Sequence, residues 1–417
     1  MSETSENTPF EKLITQLVYE KYNSLKAGGK PQSHEWTVLS SIIEERDGKY
    51  SVIVLTTGTK CLGEQFLSSE GLLVNDCHAE VLSRRCFISY LLDQIAQFQQ
   101  GKEEASIFKR SNISEYIYQL KDGVRFHLYI SQSPCGYASE YHEAGSKRKA
   151  IEIANAKVRA SKRLRSADDL DHGYENGNEN EGVDNGCFDG QKEEEFFHRT
   201  GAKYDLSACA LHLSRKPGRG DPSRSYSCSD KLCMYNHLGY QGGLLSTVIP
   251  PIYMTSITIS GNWDANRMEE ALIHRVCHPT EDESFVPPTL YHAHENSPLS
   301  ESEVMLKLDG KRLASSGSSL LWIAPNQTES LIAGKGVRLG TNIKRGITRK
   351  NASRVCPALL FSSYRSLFPS QEGAAKSISY WNAKQLATAY QERKISLFSE
   401  WKRKDRHFLE FEEQNQP

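Results

Sequence analysis

The stretch from Asn75 to Phe98, NDCHAEVLSRRCFISYLLDQIAQF, decides the reading of the fold. Val81, Leu82, Ile88, Leu91, Leu92 and Ile95 recur at the interval that lines one helical face, so a helix is predicted from about Ala79. Asn75 and Asp76 stand before it as candidate caps. On its N-terminal side, WTVLSSIIEERDGKYSVIVLTTGTKC (36–61) carries two β-rich runs around Asp47-Gly48, a dipeptide suited to a tight hairpin turn. On its C-terminal side, FHLYISQSPCG (126–136) reads as a strand ending in a Pro-Cys-Gly turn. A second strand pair is expected in LLSTVIPPIYMTSITIS (244–260) and a helix in ANRMEEALIHRV (265–276). From Ser379 to about Phe411 the chain again reads as helical. Strands and helices alternate and no internal repeat occurs, which predicts a layered α/β domain.

His78-Ala79-Glu80 opens the predicted helix, and Pro134-Cys135-Gly136 follows a predicted strand. Alone, an H-x-E triplet is as consistent with a capped or core histidine. Zinc deaminases of nucleobases, however, pair H-x-E with P-C-x-x-C, in which the His and both Cys bind the metal. Here Ala138 occupies the second cysteine position, so the pattern is incomplete. A catalytic zinc takes three protein ligands and leaves one position open. The third must come from Cys61, Cys77, Cys86, Cys187, Cys209, Cys228, Cys233, Cys277 or Cys356. Cys77 is tied to the wrong side of His78 and Cys86 falls two turns along the helix. Cys228, in the polar run Ser227-Cys228-Ser229-Asp230-Lys231, is the candidate that elimination favours, with the others left open. In this reading zinc acidifies a water, and Glu80 carries its proton to the ring nitrogen and the leaving amine. A purely structural zinc site needs neither Glu80 nor an open position.

The 417 residues fit one large domain or two ordinary ones, and no run approaches the roughly 18–20 apolar residues that cross a bilayer. The start, MSETSENTPFEK, has no apolar core of a secretory signal, and ten cysteines then read as reduced thiols of a nuclear or cytoplasmic protein. A net charge of −1 excludes a protein basic all over, so nucleic-acid binding must rest on local patches. The charge is uneven. Lys147 to Arg165 holds eight bases against Glu152, and Asp168 to Glu195 holds eleven acids against Lys192. Residues 145–198 therefore read as a solvated insertion within a single domain whose core spans about 36–411. Its basic half suits an import signal or an RNA-contacting arm, and equally a plain charged loop.

Three blocks, LLVNDCHAEVLSRR, FHLYISQSPCG and SYSCSDKLCMYNHLGYQGGLLS, resemble the catalytic domain of the RNA adenosine deaminases, from about Trp36 to the C-terminal helix. Arg199 to Lys203 (RTGAK) and Lys216 to Asp221 (KPGRGD) are similar to the branch acting on transfer RNA, which forms inosine beside the alanine anticodon. A member of that branch is expected to have no double-stranded-RNA-binding domain before the catalytic part. The resemblance implies a three-layer α/β/α, cytidine-deaminase-like core enlarged by C-terminal helices around a buried polyphosphate. It implies Cys228 as the third zinc ligand and inositol hexakisphosphate as a second cofactor. Positions matching that cofactor's site are Asn75, Arg84, Arg85, Ser225, Lys231, Tyr380, Lys384, Tyr390 and Lys394. Lysines, arginines and tyrosine hydroxyls suit a polyanion; without the resemblance, the C-terminal set is an ordinary amphipathic helix.

The chain also departs from the family. Met234 and Tyr235 stand where the deaminases of long double-stranded RNA have an arginine and a tryptophan, and Pro357 replaces a lysine after Arg354-Val355-Cys356. The phosphate shell is thinner on that side. For the RNA, Thr59 and Lys60 lie where the family contacts the target nucleotide, and Lys203, Lys216 and Arg219 are candidate phosphate contacts. A simple solvated turn is the plainer reading of KPGRGD. The target base must be extruded or already unpaired, which an anticodon loop offers cheaply. The metal site needs no protein partner, so a monomer is expected. The competing readings are a deaminase of double-stranded RNA and an inactive RNA-binding relative.

Overall fold

The computed structural model of the chain describes residues 8–139, 213–216, 222–276, 285–308, 312–369, 378–402 and 404–412. Its contacts separate one unit of Met1–Ala138 with Cys209–Pro417 from a second of Ser139–Ala208. Apart from Ser139, the second unit lies outside the described residues, and so does the insertion expected at 145–198.

An eight-stranded mixed sheet forms the centre of the first unit. In chain order its strands are β1 (Leu39–Arg46), β2 (Lys49–Thr57), β3 (Val124–Ile130) and β4 (Ser256–Ser260). They continue with β5 (Thr289–Ala293), β6 (Ser318–Ile323), β7 (Gln327–Ile332) and β8 (Val337–Arg338). Across the sheet they run β5-β4-β3-β1-β2-β6-β7-β8, with β5, β4 and β3 parallel and the other pairings antiparallel. The β1–β2 hairpin closes at Asp47 (φ 51°) and Gly48 (φ 72°), the two positive-φ positions for which Asp-Gly was expected.

Helices cover both faces. Helix α1 (Phe10–Ser24) lies over one face, where Leu39, Ile43, Leu55 and Tyr129 pack beneath Ile14, Val18 and Tyr22. Helix α2 (Ala79–Gln99) lies over the other, where Ile42, Val54 and Leu128 join Leu82, Phe87 and Leu91. Neighbouring strand residues thus point to opposite layers, and β1 is buried along nearly its whole length, as a strand between two helical layers must be. The three-layer α/β arrangement matches the sequence expectation. Helix α1 precedes the core expected from about Trp36, and each Ile or Val it buries contributes about 1.5–3 kcal/mol.

Three local expectations are corrected. LLSTVIPPIYMTSITIS supplies one strand rather than two, because Gly242–Leu245 forms a helical turn and Pro250-Pro251 offers no N–H to a ladder. Asn75 and Asp76 do not cap α2, whose N-cap is His78; Asp76 Oδ1 instead accepts the His78 N–H at 3.0 Å. The C-terminal region is broken into pieces. After α3 (Cys228–Leu238) and α4 (Pro357–Leu367) come α5 (Tyr380–Gln385), α6 (Thr388–Leu397) and a 3-10 turn at Arg406–Phe408.

Candidate metal centre

The strand ends and helix starts bring the three sequence candidates together. Thr59–Cys61 pairs antiparallel with Asp76–His78, Thr59 opposite His78, which sets His78 at the start of α2 and Glu80 in its first turn. Cys135 sits in the turn after β3, and Cys228 opens α3, where Ser227 Oγ accepts the Asp230 N–H. The Ser229 N–H and hydroxyl both donate to the Cys135 carbonyl at 3.0 Å, clamping α3 against that turn. Gly136 (φ +95°) makes the approach possible, since a Cβ there would meet Ser227 Oγ at 2.3 Å. Cys228 is thus placed beside His78 and Cys135, on a segment with no P-C-x-x-C spacing to announce it.

His78 Nδ1 lies 3.9 Å from Cys135 Sγ and 3.5 Å from Cys228 Sγ, and the three ligand atoms all fall within 4.8 Å of one another. Tetrahedral zinc at ordinary Zn–N and Zn–S lengths sets such edges at about 3.6 Å, so one imidazole and two thiols fit a catalytic zinc with an open fourth position. The Cys228 N–H donates to Cys135 Sγ at 3.3 Å. The Cys135 thiol is held well below its usual range, first by hydrogen bonding from Cys228 and then, against burial, by Lys216 and His78. Glu80 is buried, with Oε2 accepting from Cys228 Sγ at 3.3 Å, and burial pushes its carboxyl above the usual range.

Behind the thiols lies a buried charge relay. Asp76 accepts from Lys216 Nζ at 2.8 and 3.1 Å and also holds the Lys231 ammonium. Burial alone would raise Asp76, but the two ammoniums outweigh it and hold the carboxyl well below its usual range. Lys216 stays charged despite burial because Asp76, Cys228, Cys135 and Glu80 surround it. The expectation that Lys216 contacts an RNA phosphate is thereby corrected: the residue is 4% exposed and its charge is already matched. Lys203 and Arg219, the other two proposed phosphate contacts, lie outside the described residues, as do Cys187, Cys209 and Cys277. Thr59 is placed beside His78 in the hairpin, with Lys60 opposite Cys77.

A second cluster gathers most of the expected polyphosphate residues. Arg84 stacks its guanidinium 4.1 Å over the Tyr235 ring, while Arg85 Nε donates to the Val355 carbonyl at 2.6 Å. The buried Arg84 Nε and one terminal nitrogen of Arg85 have no hydrogen-bond partner among the described residues. Tyr380 and Tyr390 are raised by burial while Arg84 pulls both back, which puts both phenols beside its charge. Lys384 lies 5.1 Å over the Tyr380 ring. Lys404, absent from the sequence reading, completes the group. Removal from water and then the nearby Lys231 and Arg85 bring its ammonium down to about 7. So many cations with so few carboxylates fit a polyanion in the middle. Asn75 and Ser225 bond through their backbones, Asn75 O accepting from Leu62 N, Ser225 O from Lys216 N, and the Ser225 N–H donating to Ser223 Oγ. Lys394 lies half-buried on α6. The family departures find local reasons: Tyr235 is the ring under Arg84, and Pro357 begins α4 at a position where a missing N–H costs nothing.

An α/β/α domain that brings together a His, a Cys and a buried Glu on helix starts and a second Cys in a turn after a strand defines the class of the metal-dependent nucleobase deaminases. Comparison with known proteins narrows the class: the chain belongs to the adenosine-deaminase (editase) domain family, whose pattern matches residues 54–407. It is 29% identical to "tRNA-specific adenosine deaminase 1" of Drosophila melanogaster, over 97% of this chain and 97% of that one. It is 28% identical to the Homo sapiens protein of the same name, over 95% and 99% of the two chains. "Double-stranded RNA-specific editase Adar" of Drosophila melanogaster is 27% identical over 94% of this chain but only 52% of its own length. The protein is thus an adenosine deaminase, with a His/Cys/Cys group suited to zinc.

Proposed function

We propose that this enzyme converts adenosine to inosine in transfer RNA, beside the anticodon of alanine transfer RNA, using zinc held by His78, Cys135 and Cys228. The observation that carries the reading is the position of Glu80, whose carboxylate touches Cys228 Sγ at the edge of the His/Cys/Cys group while shut away from solvent. Bound there, zinc supplies a water acidified toward neutral pH. Glu80 Oε2 would take one proton from the attacking water as its oxygen bonds to C6 of the purine and pass it to N1; it would then carry the proton of the new C6 hydroxyl to the amine, so that the C6–N bond breaks and ammonia leaves. Its raised carboxyl suits the return half of that shuttle, since burial favours the protonated form. Thr59, opposite His78, borders the place where the extruded nucleotide enters.

The transfer-RNA substrate is supported by near full-length similarity to proteins named for it, whereas the double-stranded-RNA editase matches over only half its length. Inositol hexakisphosphate is the proposed occupant of the Arg84, Arg85, Lys231, Lys384, Lys404, Tyr380 and Tyr390 cluster, supported by its unpartnered guanidinium nitrogens. No helix among the described residues is long and apolar enough to cross a membrane. The reading includes a monomer acting in the nucleus or cytoplasm as one domain with a charged insertion at 145–198.

The test is inosine mapping on purified alanine transfer RNA, with a stem-matched RNA lacking that anticodon loop and a long duplex RNA as competitors. Inosine beside the alanine anticodon alone supports the reading. Inosine chiefly in the duplex, or none from folded, zinc-loaded protein, overturns it.

A further inference from the structure

The segment 335–350, KGVRLGTNIKRGITRK, carries Lys335, Arg338, Lys344, Arg345, Arg349 and Lys350 and no acidic residue, in a chain whose formal charge is −1. Several bases elsewhere are taken up by carboxylates: Lys109 by Asp122, Arg125 by Glu45, Arg224 by Glu64 and Asp405, Arg406 by Glu410. The six bases of this segment make no ion pair among the described residues, and Arg338, Lys344, Arg345 and Lys350 stand exposed.

The segment is fastened to the chain that builds the metal centre. Gly336 O accepts the Val74 N–H at 2.9 Å, and a Cβ on Gly336 (φ +65°) would strike Val74 O at 2.2 Å, so the two backbones meet directly. Val337 packs with Leu62, Leu73 and Ile347, and the Lys335 ammonium lies 3.4 Å over the Phe66 ring. On that facing stretch the half-buried Glu64 is occupied by Arg224, while Glu70 is exposed. From Val74 to His78 the chain spans at most roughly 13 Å. The segment is also braced from within: Asn351 Oδ1 accepts from Thr348 N at 2.8 Å, Asn351 Nδ2 donates to Gly346 O, and Arg338 donates to Lys350 O. Its bases are thus presented on a fixed backbone, which spares most of the ordering cost of binding.

We propose that residues 335–350 form a docking surface for the phosphate backbone of the RNA substrate, engaging nucleotides that flank the one entering the metal centre. The proposal rests on the RNA-deaminase reading above. RNA is favoured over a membrane surface because the segment has only Leu339 and Ile343 as exposed aliphatics and no apolar stripe to insert. Spaced cations without ion pairs, fastened to the backbone four residues before His78, match what a polyphosphate backbone requires.

The test uses the full chain in an E80A background, so that RNA is bound without turnover. Lys344→Ala/Arg345→Ala/Lys350→Ala is compared with a variant of equal charge at the far end of the sheet and on distant surfaces, Lys12→Ala/Lys49→Ala/Lys102→Ala. Affinity for alanine transfer RNA is read by fluorescence anisotropy across a salt series, with zinc content and melting temperature confirming the fold. The loop variant is expected to lose about tenfold or more in affinity at 0.15 M salt, with the slope of log K against log salt reduced by about 2. The control is expected to lose less than twofold. Equal losses in both, or no loss in the loop variant, overturns the proposal. Failure of the RNA reading itself shows separately, as absence of inosine with the otherwise unaltered enzyme.

Discussion

Replacing Asp76 by Asn isolates the electrostatics beneath the metal centre. Asparagine keeps an oxygen for the His78 N–H, which Asp76 Oδ1 accepts at 3.0 Å, and loses only the charge shared by Lys216 and Lys231. The Lys216 side chain is 2% exposed, so its ammonium has no water to turn to. Removing one partner from a buried pair costs about 3–5 kcal/mol. With an unfolding entropy of about 2.1 cal/mol/K per residue over 417 residues, Asp76→Asn lowers the melting temperature by roughly 3–6 °C. Thermal unfolding of zinc-loaded protein reads this directly, and Asp76→Asn/Lys216→Met recovers most of the loss because the stranded charge is gone. The pH dependence has a definite sign. Asp76 is depressed in the folded state, so its contribution is complete above the unfolded value near pH 4 and fades only as pH falls through the lower folded value. The native and Asp76→Asn curves therefore run parallel at neutral pH and converge in acid. A loss under 1 kcal/mol, or a double variant less stable than Asp76→Asn, refutes the account of a buried charge relay.

Other outcomes follow from the same geometry. Lys404 sits at about 7 among cations, so the unfolded chain holds more protons between there and pH 10.5, and stability rises with pH across that window. On the proposed binding of inositol hexakisphosphate the proton returns: at pH 8.5 the calorimetric heat is expected to depend on the buffer's ionisation enthalpy, by about one proton, and Lys404→Met to remove most of that dependence. Cys228→Ala leaves two of three ligands, and zinc measured by mass spectrometry falls from one per chain to below about a tenth. The same change at Cys233, buried on α3 but outside the ligand group, leaves zinc in place.

The layers were legible because their signals are local and periodic. The stripe on α2 and the Asp-Gly turn between β1 and β2 each specify their own element. Helix α1 was equally open to reading, since Ile14, Val18 and Tyr22 repeat at four-residue steps. LLSTVIPP misled because apolar residues without clear periodicity suit a strand or a helical turn alike, and here the fold settles the choice. At the site, His78 and Glu80 announce themselves by spacing, whereas Cys228 is brought to Cys135 only by tertiary packing through Ser229. Lys216 and Lys404 show the limit most clearly. Sequence identifies a cation but not its surroundings, and burial beside Asp76 or among Lys231 and Arg85 decides what that cation does.

The most direct measurement of the central claim is the rate of inosine formation by Glu80→Gln, with zinc content determined on the same preparation. Glutamine matches the shape of glutamate and keeps an oxygen near Cys228 Sγ, but its amide neither takes up nor releases a proton near neutral pH. The account predicts full zinc occupancy, an unchanged melting temperature and a rate lowered about 10²–10⁴-fold. A zinc-loaded Glu80→Gln enzyme working within tenfold of the native rate contradicts it.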